Sequence, residues 1–598
     1  MKMFGCSVVL CLVFGLSVSV WADYYVAPNG DDGNVGTRQA PWRTIQKAVD
    51  EAAAGVTIYV QAGTYNERVN VRHSGSRGEY ISIENFPGGR PVIDGDSVNE
   101  YGFHVTGSYI RIKGFEIKNL KANPAKPNPR SHVAGIAVYS SSHVTIEENL
   151  IHNILGGSGR AVFGIGVFSR NGGFVLRNNT IHHVGGYAES FGIWAWTAGA
   201  VVRKNLVYFC GKNGIRLTTQ SYARPPIVLS DADNLIEQNI CLHNSAGLNF
   251  NMAYGQPGKL VARNNFSGWN WTLGMQVKHT QNAIIEHNTL FGNGNYGLDF
   301  HGVGGSAERA RQNVNPILKD NLVSDNRCGV FMVADTKALQ NFGETVDYNF
   351  YYCPADLILG TFKYVQEPAY YTIETFAAAS DTVDGLDHTH GPYEQHGKQG
   401  SASPFAAPQE FNFTLKAGSG AKAMGRDDLD AGASAAALAG VGADRNAGLS
   451  NIPDLHLLPL KIESFSSESS AGRAAYAIDH SYRTWWEIDT AADATREIVF
   501  SLPGSDVFRL SDILLSKTNT GGHYYYKHFA LYVDDSSGAW VQVPAPSDHP
   551  FTGFRGLYNG EVWRLPSAPR ARRVRVKVLN GYGSVIRIPD IRIYGERE

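Results

Sequence analysis

Nine side chains of this 598-residue sequence stand where simple alternation would bring them to one surface: Trp194, Trp196, Arg216, Asn249, Asn251, Gln276, Lys278, Asp299 and His301. They sit at the second and fourth places after a glycine in GIWAW (from Gly192), GIRLT (Gly214), GLNFN (Gly247), GMQVK (Gly274) and GLDFH (Gly297). Successive strand residues face opposite sides, so the first and third places form a separate row. That row, Ile193/Ala195, Ile215/Leu217, Leu248/Phe250, Met275/Val277 and Leu298/Phe300, is wholly apolar and is expected to face a core. The other row can do chemistry. Indole faces stack on the C–H surfaces of sugar rings while fixed amides set register, which assigns Trp194, Trp196, Asn249, Asn251 and Gln276 to binding. A merely solvated sheet face would carry Thr, Ser, Lys and Glu instead. Lys278, shielded by aromatic neighbours and beside Arg216, is expected to have its ammonium form disfavoured, with Asp299 opposing that shift. It then qualifies as a general base, with His301 as an acid and Arg216 as a fixed positive charge. Asp299 and Asp335, on neighbouring segments, form the competing constellation: two carboxylates flanking a glycosidic bond.

Such a surface needs a repeating element. Glycine-led segments recur from Gly135 and Gly164 through to Gly297 and Gly329, at intervals between 22 residues (Gly192 to Gly214) and 33 (Gly214 to Gly247). By the same alternation the last of them puts Val330 and Met332 inward and Phe331 and Val333 outward. An asparagine column keeps step: Asn149, Asn179, Asn205, Asn239, Asn265, Asn288, Asn321 and Asn349. Short strands at this period, without long helical patterns, indicate a β-solenoid whose coils stack about 4.8 Å apart, making the polar strip about 20 Å long. Stacked asparagines then form a hydrogen-bonded ladder, a structural role. The segment PWRTIQKAVDEAAAG, apolar at Ile45, Ala48, Val49 and Ala52, predicts an amphipathic helix over the open end of the solenoid. Residues 358–450 read as irregular final coils and 451–459 as a linker. From Leu460 the repeat gives way to other alternating strands.

Composition bounds the rest. With 43% hydrophobic and 18% charged residues the chain can bury a large core, which excludes a disordered or collagen-like polymer. A formal net charge of −2 excludes a protein built to coat nucleic acid. MKMFGCSVVLCLVFGLSVSVWA, residues 1–22, has the pattern of a cleaved secretory signal, which predicts a secreted protein, extracellular or periplasmic, with no membrane span. The remaining Cys210, Cys241, Cys328 and Cys353 are too few for a disulfide framework. The mature chain is expected to be a monomer.

The opening YYVAPNGDDGNVGT, PWRTIQKAV, AGTYNERV, PVIDG and YGFHVTGSYIRIKGFEIKN resembles right-handed parallel β-helix proteins of the pectate-lyase superfamily, most closely family 9 polysaccharide lyases. VKHTQNAIIEHNTL followed by GLDFHG also resembles the lysine strand and the next strand of family 6 lyases, with His301 and Gly302 matching a His-Gly and Phe300 replacing the family's arginine. The acidic Ca²⁺ ligands of these families are missing near Lys278, where Trp271 and Leu273 occur. The resemblance implies a polysaccharide substrate, and an excess of Lys and Arg over acids near the C-terminus suits an acidic one. It does not fix the reaction, but the outward residues fit β-elimination, the leading reading: Lys278 takes the proton at C5 of a uronic acid, Arg216 neutralises the carboxylate and His301 serves the leaving oxygen. Glycoside hydrolysis by Asp299 and Asp335 is the alternative, and non-catalytic polysaccharide binding a second.

The segments SESSAGRAAYAIDHSYRTWWEID, HFALYVDDSSGAWVQV, RRVRVKVLNGYG and IPDIRIYGE resemble the discoidin-type (factor 5/8 C) domain, which implies a carbohydrate-binding, jelly-roll β-sandwich of the galactose-binding kind. That resemblance places a structural Ca²⁺ near Asp479 and Asp590. The expected order is therefore all-β: signal peptide 1–22, capped right-handed parallel β-helix 23–455 and β-sandwich 456–598. Coils that contact only their neighbours predict that removal of residues 456–598 barely changes stability.

Overall fold

In the computed structural model, described residues are 23–96, 99–122, 132–156, 161–185, 189–219, 232–251, 259–278, 280, 282–301, 316–327, 329–333, 346–353 and 360–362, and most of 394–598. The signal segment, Cys328 and Asp335 lie outside them. Described strands from Tyr24 to Gln399 form three parallel sheets of twelve, eleven and twelve strands, each coil giving one strand to each sheet. The apolar row predicted to face inward does so: Ile193, Ile215, Leu248, Met275 and Leu298 are 0–1% exposed. The helix Ile45–Glu51 covers the open end, N-capped by Thr44 and burying Ile45, Ala48 and Val49.

The glycine of each repeat marks a close approach between sheets. A Cβ on Gly164 would fall 2.3 Å from Ile181 Cγ2 and 2.8 Å from the Gly192 carbonyl oxygen, so only glycine fits. The asparagine column is the predicted ladder: Asn205 Nδ2 donates to Asn239 Oδ1 at 3.0 Å, and Asn239 to Asn265 at 3.0 Å. The residue before each ladder asparagine from Glu148 to Tyr348 is left-handed, with φ of 52–60°. Such a conformation is unfavourable for a non-glycine residue and persists where its surroundings over-determine it. A second, shorter ladder, Asn244, Asn270, Asn293 and Asn326, runs at another corner.

The Asn149 to Asn349 ladder ends on Glu394, whose Oε1 accepts from Asn349 Nδ2 at 2.8 Å and from the Tyr351 hydroxyl at 2.5 Å. Burial outweighs these bonds and pushes the Glu394 carboxyl up to about 7. The folded chain then binds a proton that the unfolded chain has released, so the stabilisation is complete below the ordinary value of 4.5 and is lost as pH rises to about 7. Chemical denaturation should show stability falling by about 3 kcal/mol across that window. Glu394→Gln should flatten the slope, and an unchanged slope would refute the assignment.

Beyond Gln399 the chain departs from the expected final coils. Phe405–Ala407 and Asn412–Leu415 form an antiparallel hairpin, and the chain then runs back along the outside of the third sheet. Ser403 Oγ donates to Asp325 Oδ2, Arg426 N to Asp320 Oδ1, Ala433 N to Thr289 Oγ1 and Ala443 N to Thr180 Oγ1, each at 2.7–3.0 Å. The segment is rich in alanine and glycine because it lies flat on a sheet.

Antiparallel strands between Lys461 and Arg597 enclose a second core around Trp486, Phe500, Trp563 and Ile593. This unit is seated on the same sheet face. Its Leu514 and Tyr594 share one apolar cluster with Phe209, Leu242 and Trp269 of the solenoid and with Met424 and Leu455 of the returning segment. Arg592 Nη1 donates to the Trp269 carbonyl at 2.5 Å, and Tyr594 and His243 meet at 3.1 Å. Asp590, one of the two residues expected near a Ca²⁺, is engaged by side chains of its own unit. Its Oδ1 bonds His480 at 2.9 Å and its Oδ2 bonds Arg592 at 2.6 Å, so both oxygens are held by basic side chains. Burial opposes the Asp590 carboxylate, but Arg592 and His480 outweigh it and hold the pKa below the ordinary range. Asp479 instead accepts from the Thr484 hydroxyl at 2.6 Å.

Candidate functional site

Parallel pairing turns the predicted strip into two columns. Trp194, Arg216, Asn249, Gln276 and Asp299 are successive partners in one, and Trp196, Thr218, Asn251, Lys278 and His301 in the other. The strands that carry the second half are Asn213–Thr218, Ala246–Asn251, Leu273–Lys278 and Tyr296–His301. One coil further the register slips by a residue: Phe331 aligns with Leu298, Met332 with Asp299 and Val333 with Phe300. The sequence expectation counts Phe331 and Val333 from Gly329 as the next rung, whereas in backbone register they align with Leu298 and Phe300.

The first column is a chain of hydrogen bonds. Asn249 Nδ2 donates to Gln276 Oε1 at 2.5 Å, and Gln276 Nε2 donates to Asp299 Oδ2 at 2.5 Å. Asp299 is fully buried. Lys278, half-buried, stands one strand from Asn251 and one from His301. Burial lowers its pKa first, Asp299 works against that, and Arg216 and Lys212 add to it; the net shift is downward. The expectation drawn from neighbouring rungs thus holds in direction, with Lys212 an additional charge. Lys212 escaped the sequence reading because it precedes its glycine. It pairs with Glu189, which also lies 4.0 Å from Arg216.

The tryptophans differ. Trp194 packs edge-on against Phe163 and Phe168, with ring centroids at 5.8 and 5.2 Å, and tilted against Phe191 at 4.8 Å. The Arg216 guanidinium lies over its ring at 5.2 Å. This ring closes an aromatic cluster with Tyr101, Tyr139 and His132 at the N-terminal end of the strip. Trp194→Ala should accordingly lower unfolding free energy by about 2–3 kcal/mol; a variant that melts like the parent would return Trp194 to the binding surface. Trp196 sits in the Lys278 column, half-buried. The side chain of His301 lies outside what is described, and Asp335 with it, so Asp299 is the member of the carboxylate pair that can be placed.

Residues 24–190 match the family described as Pel9A-like, right handed beta helix region, and residues 192–356 match that described as right handed beta helix region. From Tyr24 to about Asp356, then, this is a right-handed parallel β-helix. Over 142 residues the chain is 37% identical to the uncharacterized protein YwoF of Bacillus subtilis, covering 22% of this chain and 29% of the relative. It is 40% identical over 79 residues to pectate lyase PEL9 of Emericella nidulans, covering 13% and 19%, and 29% identical over 144 residues to pectate lyase L of Dickeya chrysanthemi, covering 22% and 31%. The chain spans less than a third of the length of each of these relatives. No described helix is long and apolar enough to cross a membrane.

Proposed function

We propose that this chain is a secreted polysaccharide lyase that cleaves a uronic-acid-containing polysaccharide by β-elimination, with Lys278 as the base. The observation that carries the reading is Lys278 itself: a half-buried lysine on the outward face of the helix, its ammonium destabilised by burial and by two neighbouring cations. A lysine so placed is neutral at lower pH than a free amine and can accept the proton at C5. Arg216 stands two coils away as the charge for the uronate carboxylate, and Asn249, Asn251, Gln276 and Trp196 line the approach. His301, next to Lys278 in register, is the acid for the leaving oxygen. Two of the relatives above are pectate lyases, which supports the same class of chemistry. We read the C-terminal unit as a discoidin-type carbohydrate-binding sandwich, supported by its sequence motifs and antiparallel sheets.

The test is a screen of the purified protein on pectate, alginate and glycosaminoglycans, read both by ultraviolet absorbance of an unsaturated uronide and by new reducing ends. A lyase gives both signals. Reducing ends without absorbance would replace this reading with hydrolysis, and neither signal on any acidic polymer would remove it.

A further inference from the structure

We propose that His182, His183 and Asp454 form a binding site for a divalent transition-metal ion, Zn²⁺ by its ligand chemistry, at the seam between the solenoid and the C-terminal unit. One ligand atom from each of the three lies within 4.8 Å of the others. His182 and His183 are consecutive residues of the strand Thr180–Gly185, and alternation alone would send them apart. The left-handed φ of 52° at His183 brings them together, with their Nδ1 atoms 2.6 Å apart. Asp454 arrives from the short turn Pro453–Leu455, where the chain passes from the returning segment to the C-terminal strands.

Three features prepare this cluster for a metal. The first is orientation. His183 Nε2 meets Asp512 Oδ1 at 2.7 Å, and an ionised carboxylate only accepts, so the proton sits on Nε2 and Nδ1 presents a lone pair towards His182. A carboxylate behind an imidazole is the usual outer partner of a metal-bound histidine. The second is rigidity: His182 is stacked between His152 and Tyr208, with centroids at 4.9 and 4.7 Å and interplanar angles of 6° and 10°.

The third is charge left over. Asp512 is fully buried, and its Oδ2 has no hydrogen-bond partner among the described residues. Buried carboxylate oxygens are ordinarily satisfied, so this one marks a shortage of positive charge. Arg564 does not supply it: its guanidinium is engaged by Asp454 and lies 3.9 Å from the other oxygen of Asp512. Two imidazole nitrogens and one carboxylate oxygen suit Zn²⁺, whereas Ca²⁺ and Mg²⁺ would require more oxygen ligands.

The experiment uses the full chain, stripped with chelator, equilibrated with Zn²⁺ and desalted. The expected result is retention of about one Zn²⁺ per chain, fallen to background in His182→Gln and in Asp454→Asn, with Zn²⁺ raising Tm in the parent but in neither variant. Asp454 stands at the rim, so its variant folds even if His182→Gln does not, and a Co²⁺ derivative of the parent reports four-coordinate nitrogen and oxygen ligation by its visible spectrum. No retained zinc in the parent, or equal retention in parent and variants, would overturn the proposal.

Discussion

Lys278→Ala is expected to lower turnover by roughly 10² to 10⁴, the range of a lost general base, while substrate still binds. Lys278→Arg should not restore it, because a guanidinium holds its proton across the working range. The pH profile adds a sign. Burial, Arg216 and Lys212 bring the lysine below its ordinary value of about 10.4, so the rising limb of the rate lies at lower pH than a free amine would give. Asp299 opposes that shift, so Asp299→Asn should move the limb further down and leave appreciable turnover. If catalysis were hydrolytic the order would reverse: Asp299→Asn would be crippling and Lys278→Ala would act mainly on binding. Near-parental activity of Lys278→Ala would end the lyase reading.

Removal of residues 456–598 is expected to leave an aggregating or strongly destabilised solenoid, contrary to what nearest-neighbour coil contacts alone predict. The truncation strips cover from Phe209, Leu242 and Trp269 and leaves His183 and His243 without Asp512 and Tyr594. A point change isolates the polar part. Arg592 is 1% exposed, and Arg592→Ala would leave Asp590 buried without its nearest cation, at a cost of about 3–5 kcal/mol. Unfolding should remain a single transition in the parent and separate into two in Arg592→Ala. A truncated chain with the parental melt would restore the autonomous solenoid.

Period and alternation made the solenoid legible because each coil repeats one local rule: glycine where two sheets approach, asparagine at the turn, apolar residues inward. The same rule placed Lys278 between Asn251 and His301 in one column and Arg216, Asn249, Gln276 and Asp299 in the other, since adjacent coils in register put equivalent positions side by side. It failed where contacts are not periodic. Nothing local in the sequence of Asp590 announces His480 as its partner, because that residue, 110 positions earlier, meets it only once the strands of the C-terminal unit are assembled. The packing of Trp194 was illegible for a related reason. Its outward position is correct, but Phe163, Phe168 and Phe191, two of them outside the glycine-numbered places, rise around it. The slip at Met332 shows the limit of counting from glycines: Gly329 pairs with Tyr296 and not with Gly297.

The returning segment also makes the solenoid a measured object. Residues 403–443 touch the stack near Asp325, Asp320, Thr289, Lys204 and Thr180 in that order, like graduations read from one end. Repeat proteins commonly lengthen or shorten by whole units, because each added coil needs only its neighbours. Here an inserted or deleted coil between Thr180 and Asp325 would displace every later mark by about 4.8 Å and put them out of reach of a strap of fixed length. The number of rungs is therefore locked by the strap, and with it the distance from the aromatic cluster to Lys278, so variation in this lineage should enter through the loops between strands while the coil count stays constant.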